Sequence, residues 1–349
     1  MELNRFIFAA PVSSYTIDDM PSLILIPRAQ LPMSETPQKI PSSDLSHRRI
    51  RSHEIRLENL SNSQSSASIS YSSQLKLKKK ASVSIDKGVI PALYLRYSMG
   101  SNKILLYFHA NAEDLGIISI CLSQMSQFLK VNVIAMEYPG YGIYKGNPTS
   151  AILYEDANII YEYITNTLGF KGKDILIAGR SIGSGPACYL ASEKEVAALI
   201  LISAFKSIKA VVKSAFGRFA AFLIAERFKN IEALRKVACP VLFIHGKKDK
   251  MIPVEQCLEM AQICKEMGRK YDISLNDQLG HNDLATLSDL CLPIMKFLKN
   301  MGIDIKNDVK YIMNMPEETA WKLKGNNGVG DKRKNSLMKM LMEKTLKEV

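Results

Sequence analysis

Apolar residues along this chain fall into short unbroken runs separated by longer stretches with helical spacing. The runs Lys103-Ile-Leu-Leu-Tyr-Phe108, Val131 to Met136, Asp174-Ile-Leu-Ile-Ala-Gly179 and Pro240-Val-Leu-Phe-Ile-His-Gly246 are short and rich in branched and aromatic side chains, and each predicts a strand. Strand character also covers Tyr271 to Leu275 and extends from Ala81 to Tyr97. Helices are predicted over Leu115 to Leu129 and from Ser150, a plausible N-cap, to about Leu168, where Ile152, Ala157, Ile160, Tyr161 and Ile164 recur on one face. Alternation at this spacing predicts an α/β fold, a mostly parallel central sheet with helices on both faces.

Two regions break the pattern. Residues 34–84 are poor in aromatic residues and hold ten serines between Ser61 and Ser84. Such a segment buries too little apolar surface to offset its ordering entropy, which predicts a disordered insertion. Residues 306–349 read as a basic C-terminal appendage, with Gly325-Asn-Asn-Gly-Val-Gly330 as linker and an amphipathic helix from Asn335 to Lys347. Residues 1–33 are then an N-terminal segment packing on or preceding the core, and residues 85–305 form one domain.

The formal charge of +12 is unevenly spread. Residues 34–84 carry nine Lys/Arg against four Asp/Glu, residues 306–349 ten against six, and residues 206–236 eight against two, so the remainder is slightly acidic. No nucleic-acid module, zinc pair or aromatic-basic RNA motif accompanies this charge, which therefore reads as an anchor to an anionic membrane surface and not to nucleic acid. No apolar run approaches the roughly 20 residues needed to span a bilayer, and position 2 is not the Gly that myristoylation requires. The expectation is a cytoplasmic protein, peripheral on the cytosolic face of membranes. The six cysteines, Cys121, Cys188, Cys239, Cys257, Cys264 and Cys291, lack the spacing of zinc sites and read as free thiols of a reducing compartment. No metal and no organic cofactor is implied.

Candidate chemistry sits at the strand ends. The strand from Asp174 runs into Gly179-Arg-Ser-Ile-Gly183, the sequence form of a strand–turn–helix that exposes a strained serine. Five residues of this kind are a weak signal alone. Their context strengthens them, because Asp249 follows the strand ending at Gly246 and His281 follows the strand after that, which completes the chain order Ser, acid, His. A hydroxyl is too weakly acidic to attack a carbonyl unaided. His281 would take the Ser181 proton and Asp249 would hold the imidazole tautomer. Asp277 and Asp283 flank the histidine and compete for the role of acid. Singly, each residue has an ordinary explanation as a turn former or surface group. The loop His109-Ala-Asn111 after the Lys103 strand is placed to give a backbone N–H to an oxyanion hole, assigned to Asn111 together with Ile182. Ala110 stands where this loop usually has Gly, and a positive φ there would cost on the order of 1 kcal/mol.

With these motifs in place, the chain resembles the α/β-hydrolase domain-containing protein 17 family, with the protein 13 family close to it. The resemblance rests on His109-Ala-Asn-Ala-Glu-Asp-Leu-Gly116, Glu137-Tyr-Pro-Gly-Tyr-Gly142, Gly179-Arg-Ser-Ile-Gly-Ser-Gly-Pro186, His245-Gly246 with Asp249, and Gly280-His281. It covers roughly residues 85 to 300, and Phe6-Ile-Phe-Ala-Ala-Pro-Val-Ser-Ser-Tyr15 also resembles the stretch before that family's core. It implies an α/β-hydrolase fold and a thioesterase that removes fatty acyl groups from cysteines of membrane-bound proteins. Such members carry an N-terminal cysteine cluster that is itself acylated, whereas this chain has no Cys before Cys121.

Residues 206–236 occupy the position of a small helical lid. Ile208, Val211, Val212, Ala215, Phe216, Phe219, Phe222 and Leu223 follow helical spacing, with Lys209, Lys213, Arg218 and Arg227 between them. A plain helix packed on the sheet explains this pattern; so does a cap whose Phe216, Phe219 and Phe222 line an acyl-chain pocket. The functional expectation is a serine hydrolase acting on S-acylated protein through an acyl-Ser181 intermediate. A lipase or carboxylesterase for small lipid esters and a non-catalytic hydrolase-fold adaptor are the alternatives.

Overall fold

Each apolar run becomes a strand of a single sheet. In a computed structural model of the protein, which describes residues 7–28 and 88–307, the strands are β1 (Leu23–Pro27), β2 (Val89–Leu95), β3 (Ile104–Phe108), β4 (Asn132–Met136), β5 (Ile175–Arg180), β6 (Ala198–Ile202), β7 (Val241–Gly246) and β8 (Tyr271–Asn276). Their order is β1-β2-β4-β3-β5-β6-β7-β8. The first two strands are antiparallel and the remaining six parallel. The expected insertion over residues 34–84, and the appendage beyond residue 307, lie outside the described residues.

The connecting α-helices are α1 (Leu115–Leu129), α2 (Ser150–Glu162), α3 (Ser184–Glu193), α4 (Ile208–Phe222), α5 (Asn230–Leu234), α6 (Val254–Glu266) and α7 (Leu292–Asn300). α1 and α7 cover one face of the sheet, while α2, α3 and α6 cover the other. This explains why the inner strands are apolar throughout: Ile104, Leu106 and Phe108 of β3 enter one core layer, Leu105 and Tyr107 the other. α1 starts where Asp114 accepts the Ile117 N–H at 2.9 Å and stops at Lys130, whose φ is 57°. The cap of α2 is Thr149 and not Ser150, since the Thr149 backbone is extended and its hydroxyl accepts the Ile152 N–H. The expected helix to Leu168 is α-helical only to Glu162 and then widens into a π-turn over Tyr163–Thr167. There the Thr165 hydroxyl bonds back to the Tyr161 and Glu162 carbonyls.

Residues 7–28 of the N-terminal segment are an integral part of this domain. β1 pairs along its whole length with β2, and the chain leaves and re-enters the sheet at one point, where the Arg28 N–H donates to the Gly88 carbonyl at 2.9 Å. The Arg28 guanidinium forms an ion pair with Asp156 of α2 at 2.8 Å. Burial raises the Asp156 carboxyl to about 6, against the opposing charge of Arg28 and the hydrogen bond from Tyr144. Tyr15 donates to Glu137 at 2.8 Å beneath the β4 end.

Candidate active site

β5 ends at Arg180 and α3 begins at Ser184, so Ser181, Ile182 and Gly183 must reverse the chain. Ser181 takes a left-handed φ of 52°, an unfavourable conformation for a side chain with a Cβ, and the surrounding packing holds it there. Glycine is required on both sides. A Cβ on Gly179 would collide with the Gly183 carbonyl and the Ala187 side chain, and one on Gly183 with the Phe108 carbonyl at the end of β3. The pattern Gly-x-Ser-x-Gly is thus the condition for β3, β5 and α3 to close around the serine.

His281, in the loop after β8, places Nε2 3.0 Å from Ser181 Oγ and Nδ1 2.7 Å from Asp249 Oδ2. The other Asp249 oxygen accepts the N–H groups of Met251 and Ile252 at 2.9 and 2.8 Å. Burial works against the Asp249 charge, but the His281 hydrogen bond, the Ile252 N–H and the neighbouring imidazoles outweigh it and lower its pKa. Neither competing acid touches the imidazole: Asp277 pairs with Lys247 at 2.6 Å, and Asp283 accepts the Gly280 N–H at 2.9 Å. His245, at the end of β7, bonds to the Ile252 carbonyl at 2.9 Å and so fixes the turn carrying Asp249. Burial lowers the His245 pKa.

Ser181, Ile182 and Asn111 open onto one cavity of about 300 Å³ whose walls include Ile7, Phe205, Ile208, Val212 and Ile252. The positive φ of the loop after β3 falls at Ala112 (58°) and not at Ala110, so the Ala110 substitution carries no strain of that kind. The Asn111 side chain is anchored at both ends: its oxygen accepts from the Ala9 N–H and the Tyr141 hydroxyl, and its amide donates to the Ile7 carbonyl at 2.9 Å. That anchoring was not readable from sequence, because it joins residues about a hundred positions apart. His109 stacks on Tyr138 with ring centroids 3.9 Å apart and meets Glu137 at 3.1 Å. Burial disfavours its charge, yet the Glu137 contact raises its pKa.

One expectation for the lid is corrected. Phe216 lines the cavity, but Phe219 and Phe222 do not; both are 79% exposed, with Leu223 at 67%. The cause is Gly217, whose φ of 84° and ψ of 175° break α4, so helical spacing is not continuous across it. A signal was present in the sequence, since glycine interrupts the apolar pattern at that residue. The six cysteines are unpaired, and all but Cys121 are buried. Burial pushes the Cys257 thiol up to about 12. Among the described residues, no group of three or more His, Cys, Asp or Glu is placed to hold a metal ion, and no helix is long and apolar enough to cross a membrane.

This strand order, with a serine on the β5–α3 turn, an acid after β7 and a histidine after β8, defines an α/β hydrolase. The sequence profile of the prolyl oligopeptidase family matches residues 221–301. Alpha/beta hydrolase domain-containing protein 17B of Homo sapiens is 31% identical over 216 residues, which cover 62% of this chain and 73% of that protein. Protein 17C of Xenopus laevis is 30% identical over 208 residues, 60% of this chain and 65% of that relative's length. The chain belongs to the alpha/beta hydrolase domain-containing protein 17 family. Among solved structures, an esterase from Pyrococcus furiosus superposes with a TM-score of 0.53 at 15% identity, over 63% of this chain and 89% of that one. A puromycin-hydrolyzing peptidase from Mycobacterium tuberculosis gives 0.51 at 11% identity, over 62% of this chain and 38% of that one. At such identities these two speak to the fold alone.

Proposed function

We propose that the protein is a serine hydrolase that cleaves acyl thioesters or esters, with fatty-acylated cysteines of membrane-associated proteins as its substrate. The observation that carries this reading is the unbroken hydrogen-bonded line from Asp249 through His281 to Ser181, ending at an apolar cavity. In the first half-reaction His281 Nε2 takes the Ser181 proton as Oγ attacks the acyl carbon, and the backbone N–H groups of Ile182 and Asn111 receive the developing oxyanion. Collapse of the tetrahedral intermediate expels the leaving group, which His281 protonates, and leaves acyl-Ser181. In the second, water activated by His281 attacks that ester and frees the acid. Asp249 stays ionised throughout and stabilises the imidazolium.

The apolar lining favours an acyl chain over a polar substrate. The same geometry serves a lipase or carboxylesterase on small lipid esters, and the relatives' names favour neither. A non-catalytic adaptor would have no use for the three-residue line. Association with an anionic membrane is supported by the exposed Phe219, Phe222 and Leu223 on the same segment as the exposed Lys213 and Arg218, a composition suited to the interface between headgroups and acyl chains. The test of function is labelling of the full chain with a fluorophosphonate probe beside Ser181→Ala. Labelling of wild type alone supports the hydrolase, and equal labelling of both refutes Ser181 as the nucleophile.

A further inference from the structure

Arg180, the residue just before the serine, pairs with Glu113 in the loop after β3, and the side chains are only 16% and 17% exposed. Each uses its remaining capacity on a different loop. Glu113 Oε2 accepts the Ala110 N–H at 2.9 Å, next to the Asn111 oxyanion donor. Arg180 Nη2 donates to Asn282 Oδ1 at 3.0 Å and lies 3.4 Å from the His281 carbonyl oxygen. The histidine loop leaves β8, three strands from β5, and at about 4.8 Å per strand it must reach some ~14 Å across the sheet to meet the serine. We infer that Glu113 and Arg180 are a positioning pair that fastens the loops carrying Ser181, Asn111 and His281 into reactive register, an inference that rests on the hydrolase reading above.

Stability is a poor explanation for the pair. A largely buried ion pair loses solvation that its attraction barely restores, and Arg180 Nε is buried without a hydrogen-bond partner among the described residues. Neither side chain is among the described residues lining the cavity, so neither grips the acyl chain. What the pair does satisfy is the geometric demand of the reaction, in which a misplacement of about 1 Å costs on the order of 100-fold.

The test uses the full chain, with p-nitrophenyl butyrate for turnover, a fluorophosphonate probe for the rate of serine modification, and a thermal melt of each variant. The double variant Glu113→Gln with Arg180→Met strands no charge, so it is expected to melt near wild type with KM within about twofold, while kcat and the phosphonylation rate fall together by about 100-fold. Arg180→Lys keeps the charge but not the planar fork and is expected to fall between the two. If the double variant is unfolded, the loss of kcat in Arg180→Lys at an unchanged melting temperature carries the inference. Wild-type turnover and phosphonylation in a folded double variant, or losses that only track the unfolded fraction, would overturn it. A wild type that the probe does not modify would overturn the hydrolase reading and this inference with it, whereas a reactive wild type separates the two.

Discussion

Asp249→Asn isolates the tautomer of His281. Asp249 Oδ1 already accepts two backbone N–H groups, from Met251 and Ile252, so an asparagine there keeps its carbonyl oxygen on that side. The amide nitrogen then occupies the place of Oδ2, 2.7 Å from His281 Nδ1. An NH2 group only donates, so Nδ1 must lose its proton and Nε2 must carry it. At 3.0 Å from Ser181 Oγ, that nitrogen now donates where the reaction needs an acceptor. The expected loss in kcat is about 10⁴-fold, or about 5 kcal/mol of barrier, with KM little changed because nothing lining the cavity is altered. Stability responds as well. The lowered Asp249 pKa means that its charge stabilises the fold above the unfolded carboxylate pKa and loses that effect as pH falls through the folded value. Wild type and variant should therefore differ in urea midpoint at pH 7 and converge in acid. Steady-state kinetics with p-nitrophenyl butyrate, run beside Asp283→Asn, decide the matter. If Asp249→Asn keeps more than a tenth of the activity while Asp283→Asn loses a thousandfold, the acid has been misassigned.

Ser181→Ala and His281→Ala are each expected to lower hydrolysis by about 10³-fold or more, and the double variant should resemble either single one; multiplied losses in steady-state rates would show that the two do not act as a unit. Gly183→Ala drives a Cβ into the Phe108 carbonyl, so it should lower the melting temperature and abolish probe labelling, and a folded, labelled variant would contradict the packing described. Asp156 holds its proton to about pH 6 when folded and to about 3.8 when unfolded, so stability should fall by up to about 3 kcal/mol as pH rises through that window. Urea titrations at pH 4 and pH 6.5 should show this slope flattened in Asp156→Asn. Phe219→Ser with Phe222→Ser should weaken co-sedimentation with phosphatidylserine vesicles without changing turnover of a water-soluble ester, and undiminished binding would place the anchor elsewhere.

β3, β4, β5 and β7 were legible because they are buried almost throughout and stand out as unbroken apolar runs; the half-buried β8 was read as well, while β1 and the equally apolar β6 were not named. α1 was legible from its regular apolar stripe, and the structure adds the Asp114 cap that starts it. Ser181, Asp249 and His281 were legible as a group because each follows a strand and the serine turn is written in two glycines. The Glu113–Arg180 pair was not, because it joins a loop residue to the last residue of β5, 67 positions away, through tertiary packing alone. The phenylalanines of α4 were misread for a local reason: a periodicity that is regular in sequence changes direction at Gly217.

The hydrogen bond from Arg28 to the Gly88 carbonyl brings the chain on either side of residues 29–87 together at one point of the sheet. Chain that departs and returns at one point of a finished sheet sets no distance for its contents to span. Closing a flexible loop becomes costlier only by about 0.6 kcal/mol per doubling of length, so a sheet edge closed in this way tolerates connections of very different length. A variant in which a short turn joins Arg28 to Gly88 is therefore expected to keep the hydrolase core folded, which a thermal melt checks. Residues 7–28 enjoy no such freedom. Ile7 is part of the cavity wall and β1 forms the sheet edge, so a truncation that starts at Gly88 removes a piece of the site itself.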